Sequence, residues 1–326
     1  MSGDSGGGGP AGGRAGLVTL GEAMALVAAA ETGGWAHHRA ALVSVAGAEL
    51  NVAVGVRRLG RPATWISRVG ADGFGELMLR ELRAEGITAV ATIDDTRPTG
   101  LMVKERPNSL HTRVRYYRAG SAASALTAFD LPLEPIQQAA VLHVTGITPA
   151  LGPGPASAVQ LAVDTAKAAG TIVSLDLNYR SALWGRDDAA AALTPLARQA
   201  DVLFAGPEEA SLIVPEGDPA DMAHALAGLG PRQVIIKMGA DGAVSLVDGE
   251  LRRTPAVPVQ VVDTVGAGDA FVAGYLTELM DGASVDRRLA TAVAAGAFAC
   301  TSLGDWEGLP TRADLPALQA TEAVHR

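Results

Sequence analysis

A chain of 326 residues, 48% hydrophobic and 19% charged, can bury one large core, with room for a small appendage. Its formal net charge of −9 excludes the basic footprint of a nucleic-acid binder, so any anionic ligand must be held by local positive charge. No apolar run approaches the ~20 residues of a membrane span, and the single cysteine, Cys300, excludes a disulfide framework; a cytoplasmic protein is expected.

In chain order, Met1 to Gly13 is Gly/Ser-rich, and residues 1–15 read as a disordered leader before a domain spanning 16–326. Leu17–Leu20 predicts a buried strand ending at Gly21-Glu22, which also argues against a signal peptide over Ala23–Ala30. Leu26-Val27 and Leu42–Val45 flank a polar loop with Trp35, His37 and His38, a hairpin outside the main core. Helical periodicity in Leu50, Val54 and Leu59 stops at Gly60. Thr64–Val69 predicts a strand, with Asp72 capping a helix that reaches Leu82. Gly100–Arg118 alternates about the turn-rich Arg106-Pro107-Asn108-Ser109 and predicts a second polar hairpin.

From Val141 the rhythm is strand then helix: Val141–Val144 and Ala156–Ala168, Thr171–Leu175 and Asp188–Gln199, Val202–Phe204 and Glu208–Ile213, then Val234–Lys237. This predicts an α/β fold, a mostly parallel sheet flanked by helices on both faces. The two hairpins, about residues 22–46 and 97–119, break the rhythm and are expected to form a small β-sheet lid with free edges that favour a homo-oligomer. The valines at 257, 259, 261 and 262 read as a strand before Asp263–Phe271, followed by helices over Ala270–Met280, Val285–Thr301 and Leu315–Ala323.

The chain has no Gly-x4-Gly-Lys-Ser/Thr loop and no glycine-patterned turn after its first strand. The histidines lack metal-ligand spacing, and His143 reads as a satisfied core residue. Gly266-Ala267-Gly268 is therefore the best phosphate cradle, since a small-residue turn opening a helix gathers free N–H groups at the positive end of the dipole. Asp269 sits within it, either as an N-cap or as a base that deprotonates a hydroxyl beside the transferred phosphate. Gly47, ahead of a helix, lets backbone approach a ligand closely, and Asn51 offers donors and acceptors if it is not simply a satisfied buried amide.

Asp263-Thr264-Val265-Gly266-Ala267-Gly268-Asp269-Ala270-Phe271, with Gly274 one turn on, resembles the C-terminal signature of the ribokinase-like (PfkB) carbohydrate kinases. Ala46–Ala53 resembles that family's Gly-Gly-x-x-x-Asn-x-Ala block, with Ala46 replacing the first glycine. Gly70–Gly75 resembles its Gly-x-Asp-x-x-Gly block, where a turn and a cap suffice, and Lys237–Gly242 its Lys-x-Gly-x-x-Gly loop. The resemblance implies Asp269 as the base and Gly266, Ala267 and Gly268 as the anion hole. It also implies an ATP site drawing on Asn178, Lys237, Gly239, Gly242, Gly266 and Gly268, with Mg2+. The family's Asn-x-x-Glu segment falls on Gly206–Glu209, so Glu209 remains near the metal, acting through water, while the asparagine is lost.

Tyr116–Ala122, Leu142–Leu151, Leu175–Arg180 and Gly304–Gly308 together resemble the 2-keto-3-deoxygluconate kinases of that family. That implies a small acid sugar contacted by Gly47, Asn51, Tyr116, Arg118, Arg180 and Asp269, with Asp305 on a distal hydroxyl. Arginine suits such a substrate because guanidinium meets a carboxylate in a planar, two-pronged pair. Met102 stands where the resemblance expects an aromatic residue, and a thioether cannot donate a phenolic hydrogen bond. The alternative is a neutral-sugar kinase such as a fructokinase.

Overall fold

The structure is a computed structural model that describes residues 16–319, apart from 38, 109 and 110. The leader expected over 1–15, and residues 320–323 of the last expected helix, lie outside the described residues.

Thirteen strands are described: β1 (Leu17–Leu20), β2 (Met24–Ala29), β3 (Ala41–Ala46), β4 (Ala63–Gly70), β5 (Thr88–Asp94), β6 (Leu101–Asn108), β7 (His111–Tyr117), β8 (Val141–Thr145), β9 (Ile172–Asp176), β10 (Val202–Ala205), β11 (Gln233–Lys237), β12 (Ala243–Val247) and β13 (Glu250–Thr254). The helices are α1 (Ala48–Arg58), α2 (Gly73–Ala84), α3 (Leu133–Gln138), α4 (Pro153–Ala169), α5 (Arg186–Gln199), α6 (Pro207–Ala210), α7 (Pro219–Ala227), α8 (Ala267–Met280) and α9 (Val285–Ala299). Nine strands form one sheet in the order β13-β12-β11-β10-β9-β8-β1-β4-β5, parallel except for β12 and β13. The other four form a separate small sheet, β3-β2-β6-β7, in which the two expected hairpins join through parallel β2 and β6. The expected α/β architecture holds.

Continuous apolar sequence explains the central strands. β8 and β10 are buried at every residue because helices cover both faces. One core lies between the sheet and α1, α8 and α9, where the Phe204 ring meets Tyr275 edge-on at 5.4 Å. The other packs α4, α5 and α7 against the opposite face. Chain order reverses at β1, which has β4 on one side and β8 on the other. A ligand crevice opens at such a switch point, outside the carboxyl ends of the strands.

The valines at 257–262 do not form a strand. Pro255 and Pro258 supply no ladder N–H, and the segment runs irregularly with Val261 and Val262 exposed. The helix expected over Glu208–Ile213 is the single turn α6. Strands β5, β12 and β13 went unread, although Asp248-Gly249, both at positive φ, is a legible two-residue hairpin turn. His143 is fully buried with Nδ1 3.0 Å from Ser174 Oγ, but its Nε2 has no partner among the described residues. Burial pushes that imidazole down to about 3, so it is neutral.

Candidate active site

The site is organised by the start of α8. Its N-cap is Gly266, at φ +76, and a Cβ there would collide with the Asp305 carbonyl oxygen. Only glycine fits that left-handed, crowded position. Asp269 lies in the first turn and makes no capping bond, so the N-cap role considered for it belongs to Gly266.

Asp269 Oδ2 instead accepts a 2.8 Å hydrogen bond from Asn51 Nδ2 on α1. One turn along each helix, Gly55 faces Ala273, and a Cβ on Gly55 would sit 2.5 Å from Ala273 Cβ. The missing side chain lets α1 and α8 close up, which brings the amide to the carboxylate. Enclosure by protein pushes the Asp269 carboxyl up to about 7, and the Asp176 charge adds to this. The Asn51 hydrogen bond and the charges of Lys237 and Arg180 act in the opposite direction. A carboxyl poised near neutrality is suited to exchanging a proton.

Two cavities meet at this turn. One, of about 590 Å³, is lined by Lys237, Gly239, Gly242, Ala267 and Gly268, with an apolar wall of Val257, Val259 and Phe271. Gly239 (φ +57) and Gly242 (φ +87) bend the connection between β11 and β12. A Cβ on Gly242 would strike the Thr254 carbonyl, whereas Gly239 faces open space. Lys237 Nζ donates to Asp176 Oδ2 at 2.6 Å, while Asp176 Oδ1 has no partner among the described residues. Burial alone would lower the Lys237 pKa, but the charges of Asp176, Glu209 and Asp269 outweigh it and hold the lysine protonated.

The other cavity, of about 770 Å³, brings together Gly47, Asn51, Tyr116, Arg118, Arg180, Gly266, Asp269 and Asp305, with Met102 in its wall. Arg118 donates through Nε (2.6 Å) and Nη2 (2.5 Å) to Glu22 Oε2 and lies over the Tyr116 ring, 5.8 Å from its centroid. Arg180 is exposed, and its guanidinium, among the described residues, donates only to the Tyr179 carbonyl oxygen, at 3.3 Å. Asp305 is buried, its Oδ1 has no partner among the described residues, and burial pushes its carboxyl up to about 6.

Two expected residues stand apart from both cavities. Asn178 is buried just beyond β9 at φ +38 and lines neither. Glu209 accepts the Gly206 N–H at 2.7 Å and the Tyr179 N–H at 3.1 Å, fastening α6 to the loop after β9.

Sequence reasoning overlooked three cavity residues. Glu22 holds Arg118 and accepts from Ser121 Oγ at 2.5 Å; its place at the end of the first strand was the available signal. Glu49 is fully buried, its Oε1 accepting from Thr145 and Thr148, each at 2.7 Å. Lys104 looked like an ordinary strand lysine, yet it is 5% exposed and lines the larger cavity. Nothing in the local sequence marks it.

The pfkB family carbohydrate kinase model matches residues 14–312, nearly the whole chain. The chain belongs to the PfkB family of carbohydrate kinases. Among PfkB kinases, it is 38% identical to the 2-dehydro-3-deoxygluconokinase of Bacillus subtilis (strain 168), over 95% of this chain and 97% of that one. It is 34% identical to the 2-dehydro-3-deoxygalactonokinase of Haloferax volcanii, over 89% and 92%. A putative ribokinase II from E. coli, crystallised with ATP and Mg2+, superposes with a TM-score of 0.86 at 25% identity, covering 94% of this chain and 99% of that one.

Proposed function

We propose that this PfkB kinase phosphorylates the primary hydroxyl of 2-keto-3-deoxygluconate with ATP, giving 2-keto-3-deoxy-6-phosphogluconate. The observation that carries the reading is one cavity holding Asp269 together with Arg118 and Arg180. A carboxylate-bearing sugar would be met there by guanidinium, and its hydroxyls by Asn51 and the free Oδ1 of Asp305. The relative's name, 2-dehydro-3-deoxygluconokinase, supports the same substrate.

ATP takes the other cavity, its base against the apolar wall and its phosphates toward Lys237 and the amides of the Gly266–Gly268 turn. Asp269 accepts the proton of the primary hydroxyl. That oxygen bonds to the γ-phosphorus as the bond to the β–γ bridging oxygen breaks, and ADP leaves. The turn's N–H groups and Lys237 stabilise charge on the transferred group. The small sheet, carrying Tyr116 and Arg118, acts as a lid that keeps water out.

Among the described residues no three His, Cys, Asp or Glu side chains form a metal nest. That fits Mg2+, which keeps several waters and binds through substrate phosphates plus one or two carboxylates. Asp176, with its unpartnered Oδ1, and Glu209, through water, would hold it. When bound it neutralises phosphate charge. In this reading the enzyme is cytoplasmic and forms a homo-oligomer through the small sheet, whose edge strands β3 and β7 expose Leu42, Val43 and Tyr117. No nucleic acid or membrane partner is involved; among the described residues no helix is long and apolar enough to cross a membrane.

A sugar panel tests the substrate. The acid sugar should be phosphorylated with the highest kcat/KM. Turnover on fructose with none on 2-keto-3-deoxygluconate would replace the proposal with a fructokinase, and preference for the galacto epimer would move it to the substrate named for the Haloferax relative.

A further inference from the structure

The small sheet reaches the turn before α8 through Lys104, with Arg106 beside it. On β6, alternate residues Met102, Lys104 and Arg106 share a face. Met102 lies in the wall of the sugar cavity, and Lys104 borders both that cavity and a smaller one of about 190 Å³, where Arg106 and Asp263 meet it. Ala28 stands opposite Lys104 across the β2–β6 pair, and so small a residue leaves room for the lysine stem. Lys104 Nζ donates to Asp263 Oδ2 at 2.6 Å, and Arg106 Nη2 approaches the same oxygen at 3.3 Å.

Asp263 opens the turn that ends at Gly266. Its Oδ1 accepts the Val265 N–H at 3.4 Å, and its own N–H, like that of Val262, points to the Cys300 carbonyl oxygen. Gly266, at the far end, is pressed against the Asp305 carbonyl. The backbone carrying the anion-binding amides is therefore held from α9, from the Asp305 segment and, through Asp263, from the small sheet. Both members of the ion pair are nearly enclosed, with side chains 7% and 9% exposed. Enclosed ion pairs add little net stability, because desolvation offsets attraction, and they are retained where they set geometry.

We propose that Lys104 is a positioning residue for phosphoryl transfer: through Asp263 it ties the sugar-binding sheet to the Asp263–Gly268 turn and sets the anion-hole amides. Lys104 does not touch the transferred group. Its effect therefore falls on turnover rather than on sugar affinity. The inference rests on the phosphoryl-transfer reading of the turn and not on which sugar is used.

The decisive variant is the double change Lys104→Met with Asp263→Asn, which removes both charges and leaves neither partner buried alone. With the best substrate from the panel, kcat should fall about 10-fold or more while the sugar KM changes less than about 3-fold. The double variant should lose no more than the Asp263 single, since that change alone weakens the ties to both Lys104 and Arg106. Lys104→Arg should recover part of the turnover. Hydrogen exchange at the amides of residues 264–268 gives a readout that needs no activity, and it should quicken in the double variant while β8 and β9 stay protected. Wild-type kcat in the double variant, a loss confined to sugar KM, or unchanged exchange across the turn would each overturn the proposal. If no sugar on the panel is phosphorylated, the functional reading fails, and exchange alone still decides whether Lys104 sets the turn.

Discussion

The two cavities share the first turn of α8 but are built differently. The cavity proposed for ATP is lined mainly by glycine, alanine and apolar side chains, most of them from 237–242 and 256–268. The cavity proposed for the sugar is assembled from side chains on β2, α1, β6 and β7, the loops after β1 and β9 and the Asp305 segment. Its charges are balanced across long sequence separations, as in Glu22 with Arg118 and Lys104 with Asp263. A generic phosphate donor can be gripped by peptide N–H groups, whereas one particular sugar needs side chains matched to its own hydroxyls and charge.

The shared turn should give the largest effect. Asp269→Asn should lower kcat by about 10²–10⁴-fold while ATP binding, measured by titration calorimetry, stays within about 3-fold. Survival of turnover would separate Asp269 from proton transfer. In the wild type, kcat/KM should rise with pH to a plateau above about 7, where the carboxyl ionises. The stability linkage carries the opposite sign. The folded carboxyl sits above its ordinary 3.8, so its contribution is fully present below that value and is lost as pH rises through about 7. Asp269→Asn should therefore raise the melting temperature relative to wild type above neutrality, and the gain should shrink on acidification toward about pH 4.

Arg180→Ala tests the sugar side alone. Losing the guanidinium should raise KM for the acid sugar about 10–100-fold, with the ATP KM unchanged. Parallel loss on both substrates would show the cavities to be less separable than their linings indicate. The smallest effect belongs to Arg113→Ala. Arg113 is exposed on β7 and lines neither cavity, so both KM values should stay within about 2-fold. The contrast between Arg113 and Arg118, five residues apart, sharpens the distinction between a solvated strand arginine and one held over the cavity by Glu22.

Much of this was legible in one dimension. The alternation after Val141 announced the parallel sheet, Asp72 announced its cap, and Asp263–Phe271 announced the glycine turn that opens α8. One element was misread, and two residues stand where spacing alone does not put them. Val257–Val262 is apolar and strand-like by composition, but two prolines and the cavity it lines keep it out of the sheet. Asn178 and Glu209 carry the expected residue types, yet one lines neither cavity and the other is engaged by two backbone amides.

By itself the sequence determined the periodicities, the glycine turns and the residue types available for chemistry, because these depend on local backbone sterics and spacing. Only the tertiary structure decided which carboxylate is enclosed enough to titrate near neutrality, which arginine is already paired, and that Lys104 reaches Asp263 159 positions away. Desolvation and ion pairing depend on what surrounds a group in three dimensions, and the close approach of α1 and α8 at Gly55 is what brings Asn51 to Asp269.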